Sequence, residues 1–308
     1  MRRKSIQLLI ALFLFRGFAS VAADTKAATV AGVLASAKDS DWRPVNPENT
    51  LYMDLPAGRV IIELNPDFAP ESIANIKALA KEKYWDGLAI VRTQDNYVVQ
   101  WADPIAEKHP EAAKKIKTAK TKLPAELDVA LNPKAPFDIF PDKDIYAKEV
   151  GYSNGFAVGR DKTAKKMWGL HCYGVVGVGR DNAPDSGNGT ELYAVIGNSP
   201  RTLDRNVAVV GRVLQGVELL SSLPRGHGAL GFYEKDEQNF PIKAIRLASD
   251  VPVKERVNLE VLRTDTPLFK ALIEARKNRK EEWFQYRAGH IDVCSVGAPV
   301  REVKGESR

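Results

Sequence analysis

Arg92 and Gln100 stand on either side of a polar turn in the stretch Ile90 to Asp103, IVRTQDNYVVQWAD. The β-branched and aromatic residues flanking Thr93-Gln94-Asp95-Asn96 predict two paired strands. An unpartnered guanidinium is costly in a core, and a buried amide needs its hydrogen bonds. Arg92 is therefore either an edge cation paired with an acid such as Asp95, or a donor lining a pocket. Gln100 presents the same choice between a strand-edge amide and a pocket group.

The usual catalytic sets have no candidates. His109, His171, His227 and His290 are scattered without metal-ligand spacing. His171 adjoins Cys172, but neighbours on a strand point to opposite faces, which argues against a thiol–imidazole pair. Ser153 and Ser199 lie in polar turns without a nucleophile elbow. Gly174, Gly177 and Gly179 match neither the dinucleotide-binding nor the phosphate-loop pattern, and suit strand ends and close packing. The residues thus call for no metal and no cofactor. Rotation about the amide bond before proline needs neither, nor a nucleophile; its barrier of ~18–20 kcal/mol comes from amide resonance. A site that binds the twisted amide better than the planar ones lowers it. A guanidinium can donate to the nitrogen as its lone pair localises, while a second donor holds the carbonyl oxygen.

The elements that would position this pair are mostly short strands. LYMDL and RVIIEL around Pro56-Ala57-Gly58 predict a hairpin. Pro70 and Glu71 open a helix whose Ile73, Ile76 and Leu79 share one face. Residues 104–155 break the rhythm and read as an insertion. Its Lys108–Lys122 part is cationic and helical in propensity, a solvated face in preference to an anion-binding one. GFAVGR, CYGVVGVGR, ELYAVIG and NVAVVGRVLQG follow as strand-like runs, which points to an antiparallel barrel or sandwich. Gly216–Pro224 reads as a brief helix. Pro267–Arg287 reads as an amphipathic helix, with Leu268, Phe269, Leu272, Ile273, Trp283 and Phe284 apolar, that docks on the body or recruits a protein partner.

At 308 residues and 44% hydrophobic, the chain can bury a sizeable core. Residues 1–23 combine a basic start, an apolar run over Ile6–Phe15 and small residues before Asp24, the pattern of a cleaved export signal. Their removal takes Arg2, Arg3, Lys4 and Arg16 and no acid, so the formal charge falls from +6 to +2. The basicity is then a targeting feature and no argument for nucleic acid. No run of membrane-spanning length remains, so a periplasmic or secreted protein without a membrane anchor is expected. In such a compartment Cys172 and Cys294 are expected to form a disulfide; two separate buried thiols are the alternative.

With these residues in hand, the chain resembles the cyclophilin-type peptidyl-prolyl cis–trans isomerases, in an exported bacterial form with extended termini. The likeness runs through LYMDLPAGRVIIEL and APESIANIKALAKEKYWDGL into the opening stretch. There the family has Phe-His-Arg, four residues, an aromatic, two residues, then Gln-Gly-Gly-Asp; Arg92, Tyr97, Gln100 and Asp103 keep that spacing. Gly189 to Tyr193 resembles the family's Gly-Ser-Gln-Phe-Phe, and Thr202-Leu203-Asp204 with VAVVG its Trp-Leu-Asp block. Leu123 to Leu127, LPAEL, is similar to a family strand. The resemblance covers about residues 50–250, leaving 24–49 and 251–308 as extensions. It implies a mainly β fold, a closed eight-stranded antiparallel barrel capped by two helices. It also implies Arg92 and Gln100 as catalytic donors, with Tyr97, Val98, Tyr193 and Leu203 taking the proline ring. Asn182 would bond the flanking peptide through its backbone. Proline-containing segments of unfolded exported proteins would be the partners.

The rim departs from the pattern. Ile90 and Val91 replace an aromatic and a histidine. Trp101 and Ala102 replace two glycines, which adds bulk beside Gln100. Glu191 replaces a glutamine, Thr202 the pocket tryptophan, and Val207 stands where histidine is frequent. Altered substrate preference and weak cyclosporin binding are expected. A proline-peptide-binding or holding module with weak catalysis, using the same groove, is the alternative function. A scaffold recruiting partners through the C-terminal helix and the lysine-rich insertion is a third.

Overall fold

The computed structural model of the protein describes residues 29–303, so the export-signal segment, residues 1–23, lies outside the described residues. Helix α1 (Val30–Ala35) starts at Thr29, whose side chain accepts the Gly32 N–H. Strand β1 (Trp42–Pro44) follows. The predicted hairpin forms as β2 (Thr50–Leu55) and β3 (Gly58–Leu64), paired from Thr50 opposite Glu63 to Leu55 opposite Gly58. Gly58 closes the tight turn with φ +150°, a backbone angle that side chains resist.

Helix α2 (Pro70–Lys81) buries Ile73, Ile76 and Leu79, the face its spacing predicts. Ala69 at its cap offers no acceptor. Glu126 does so from afar, its carboxylate taking the N–H groups of Glu71 and Ser72 at 2.9 and 2.7 Å. This charge suits the positive helix end, and LPAEL, which carries it, is irregular chain and no strand.

The chain continues through β4 (Ala89–Thr93), β5 (Val98–Ala102), β6 (Val129–Ala130), β7 (Asp138–Ile139), β8 (Glu149–Ser153), β9 (Phe156–Asp161) and β10 (Lys166–Gly169). Then come β11 (Val175–Val178), β12 (Leu192–Val195), β13 (Val209–Gln215), α3 (Val217–Ser221), β14 (Phe240–Pro241), β15 (Ala244–Leu247), β16 (Leu259–Leu262), α4 (Pro267–Lys277) and β17 (Val300–Glu302).

The principal sheet is antiparallel with nine strands, in the order β14-β4-β5-β12-β11-β13-β3-β2-β15. Its two edges are consecutive pieces of one segment, so the sheet curls. One face, with Met53, Ile62, Ile90, Val99, Trp101 and Ala194, packs with Ile73 and Ile76 of α2 into the largest hydrophobic cluster. The expected closed barrel of eight strands is corrected to this curled nine-stranded sheet. The extra strand arises in residues 240–247, which pair first with β4 and then with β2. Pro241 lacks the N–H that would continue the first ladder.

A second sheet, β6-β10-β9-β8-β7, takes up residues 129–169, so GFAVGR belongs here and not to the principal sheet. Ahead of it, the lysine-rich segment is irregular instead of helical. Its backbone donors are claimed from outside: Glu82 accepts from Lys117, Thr118 and Ala119, Asn75 from Lys120, and Asp103 from Lys114. Tertiary acceptors here outweigh a propensity worth only tenths of a kcal/mol per residue.

The two extensions meet in a third sheet, β1-β16-β17. Helix α4 buries Phe269, Leu272 and Ile273 in the second hydrophobic cluster, so this segment docks on the body. It stops at Lys277, ten residues short of the expected Arg287. Asn278 to Glu282 offers no apolar face to continue it, and Trp283 is left 81% exposed. Cys172 and Cys294 are disulfide-bonded, tying this tail to the body. Among the described residues no helix is long and apolar enough to cross a membrane.

Candidate active site

A bulge decides where Arg92 points. Ile90 lies opposite Trp101, yet Arg92 lies opposite Gln100, so Val91 is the extra residue on β4. Without it Arg92 would face Val99 and its side chain would project from the other side of the sheet. With it, Arg92, Gln100, Tyr193 and Gly177 follow one another as cross-strand partners over β4, β5, β12 and β11. Val98 and Gln100 share this outer face. Trp101 is turned inward and fully buried, which corrects the expectation that it crowds Gln100.

The Arg92 guanidinium is held by neutral groups. Its Nη1 donates to Gln100 Oε1 at 3.1 Å and its Nε to the Leu230 carbonyl at 2.6 Å, while Nη2 donates to Gln94 Oε1. The rings of Tyr97 and Phe232 lie 5.5 and 5.3 Å from its Cζ. Burial lowers its pKa from the ordinary value, opposed by the nearby Tyr97 oxygen. A guanidinium carries five N–H donors, so this set leaves donors free. The edge-cation reading fails on its proposed partner, since Asp95 pairs with Arg225 at 3.0 Å.

Gln100 is only 8% exposed. While its oxygen accepts from Arg92, its Nε2 donates to Glu191 Oε2 at 2.9 Å, which orients the amide and leaves one N–H uncommitted. Burial pushes the Glu191 carboxyl above the ordinary carboxylate range, and the Gln100 hydrogen bond partly offsets this.

The apolar residues expected around the ring gather in part. Tyr97, Val98, Tyr193 and Leu203 belong to one hydrophobic cluster, with Leu203 on the short turn Arg201–Leu203. The Tyr193 ring is buried and leans over Gly177: a Cβ on that glycine would stand 2.3 Å from the hydroxyl. Asn182 stands apart, exposed in the loop after Gly179, with its carbonyl accepting from Arg180 at 3.2 Å.

Several contributors escape a sequence reading. Gln94 is legible there only as a turn residue. Leu230 and Phe232 come from a loop that folds back on β4, with Gly226 N–H donating to Thr93 O and Tyr233 N–H to Val91 O. The glycines of Gly226–Gly231 are the available hint; Gly231 has φ +78°, and a Cβ there would strike Gln94. Among the described residues no cluster of three or more His, Cys, Asp or Glu is arranged to hold a metal ion.

Residues 50–249 match the family profile described as "Cyclophilin type peptidyl-prolyl cis-trans isomerase/CLD". The chain belongs to this family. It is accordingly an enzyme that isomerises the peptide bond before proline. A probable peptidyl-prolyl cis-trans isomerase of Brucella suis is 26% identical over 184 residues, 60% of this chain and 76% of that protein. The crystal structure of the cyclophilin AquaCyp293 from Hirschia baltica superposes with a TM-score of 0.69 at 25% identity, covering 91% of this chain and 99% of that one. That superposition extends past the cyclophilin domain into the extensions, since the family profile alone spans residues 50–249.

Proposed function

We propose that Arg92 and Gln100 are the reactive donors of this cyclophilin, acting on proline-containing segments of exported polypeptides that are still folding. The observation that carries the reading is the Arg92–Gln100 hydrogen bond across adjacent strands, on a guanidinium whose three held donors all go to neutral oxygens. A charge balanced by a carboxylate would have little left to offer a substrate; one held by amides keeps its field.

In the proposed reaction the proline ring rests among Tyr97, Val98, Tyr193 and Leu203. The free N–H of Gln100 holds the carbonyl oxygen preceding proline. As the amide twists, its nitrogen pyramidalises, and a spare Arg92 N–H donates to the emerging lone pair. Only the Arg92 interaction is absent from the planar ground state, so it lowers the barrier instead of only tightening binding. Gln100 holds the oxygen in both states and orients the bond for rotation. Asn182, exposed in the loop after Gly179, would meet the peptide backbone outside the ring.

Export is part of the proposal. The charged-then-apolar composition of residues 1–23 supports it, and the Cys172–Cys294 disulfide suits an oxidising compartment. Protein recovered from its native cell should begin at Asp24. A protease-coupled assay on short Xaa-Pro peptides, followed by refolding of a proline-limited exported protein, tests the activity. Acceleration of both is expected; peptide binding with no acceleration of either would replace catalysis by a holding function.

A further inference from the structure

Behind the apolar wall lies a chain of polar groups to which the reaction gives no role. The Tyr193 hydroxyl and His171 Nε2 are 2.8 Å apart. His171 Nδ1 and its backbone N–H both reach Asp204 Oδ1, at 3.0 and 2.9 Å. Arg201 Nε donates to Asp204 Oδ2 at 2.6 Å, and its two Nη atoms to Asp144 at 2.8 and 3.0 Å. His171 is fully buried and Arg201 is 4% exposed. Since a carboxylate can only accept, Asp204 fixes the proton on Nδ1 and leaves Nε2 to accept from the tyrosine.

We propose that His171 is a positioning residue for proline isomerisation, anchoring the Tyr193 ring over Gly177 so that the space beside Gln100 stays open to the proline ring. The inference rests on Tyr193 being a wall of the substrate slot. Tyr193 is the direct cross-strand neighbour of Gln100, so its ring has two choices: over Gly177, or back across the Arg92–Gln100 row. Side chains occupy discrete rotamers, and a buried hydroxyl selects the one that supplies a partner. Gly177 makes that rotamer sterically open, and His171 makes it the satisfied one. The ring of His171 lies nearly parallel to that of Tyr193, 15° off at 6.2 Å, which further limits its swing. Asp204 and Arg201 hold the imidazole in turn, and Asp144 ties the arrangement to the chain between β7 and β8.

The test compares Tyr193→Phe, His171→Leu, His171→Gln and the double variant Tyr193→Phe/His171→Leu in the full-length protein, with Xaa-Pro turnover and thermal unfolding measured on each. Losing one anchoring hydrogen bond should raise KM by about three- to tenfold with kcat nearly unchanged. The double variant should match the singles instead of multiplying them, and His171→Gln, which retains an acceptor, should recover part of the loss. Tyr193→Phe is conservative enough to stay folded, so its KM decides the question if the histidine variants fail to fold. An unchanged KM in Tyr193→Phe, with only the unfolding temperature lowered, would overturn the inference and leave the network structural. Arg92→Ala run alongside separates the two readings: if it keeps full turnover, the site assignment fails; if it loses turnover while Tyr193→Phe keeps its KM, only the role of His171 fails.

Discussion

Two arginines at the ends of one series of side chains, Arg92-Gln100-Tyr193-His171-Asp204-Arg201, are treated in opposite ways. Arg201 is nearly fully buried and meets two carboxylates, Asp144 and Asp204; their hydrogen bonds and charge raise its pKa against the desolvation that opposes them. Arg92 is half-buried among amides, a carbonyl and two aromatic faces, and its pKa is lowered by burial. Arg201 is thereby neutralised and fixed. Arg92 is oriented without being neutralised. The proposed role of Arg92 requires its charge to be held this way, since a carboxylate partner would compete with a substrate for it.

The comparison can be broken from the structural side first. Arg201→Ala would strand two buried carboxylates and should destabilise the protein by about 3–5 kcal/mol in urea unfolding, whereas Arg92→Ala should cost less than about 1 kcal/mol. Similar losses for the two would erase the distinction. A smaller effect is expected next door. Thr202 is exposed where the family places a tryptophan. Thr202→Trp should tighten cyclosporin binding by roughly tenfold or more, the worth of burying a large ring, measured by calorimetry against a weakly binding parent. Unchanged affinity would move the slot away from Leu203.

The subtlest test concerns Glu191. Its folded pKa is raised, chiefly by burial, so the stability it contributes is present at acid pH and is lost as pH climbs through that raised value. Glu191→Gln lacks this loss. The variant's stability relative to the parent should therefore grow with pH across the carboxylate range and then level off. A constant difference would mean that Glu191 titrates as an ordinary exposed acid.

The hairpin and α2 were legible because each has one apolar face with a clear period and firm turn residues. The proposed site was drawn from the spacing of Arg92, Tyr97 and Gln100, and the bulge at Val91 that places Arg92 opposite Gln100 has no signature in residue type. Helix lengths failed where polar residues removed the face, as at Asn278, or where outside carboxylates took the backbone donors, as at Lys117 to Ala119. His171 illustrates the remaining gap. Residue order separates it from the Cys172 sulfur, but its partners Tyr193 and Asp204 are 22 and 33 positions away, and only folding brings them together.

The central claim is that Arg92 lends a hydrogen bond to a nitrogen losing its conjugation. Turnover of Xaa-Pro peptides by Arg92→Ala, beside the parent and at matched unfolding midpoints, tests it most directly. Removing one transition-state donor should slow catalysis by about tenfold or more while peptide binding changes little. Equal rates in the two proteins would contradict the account.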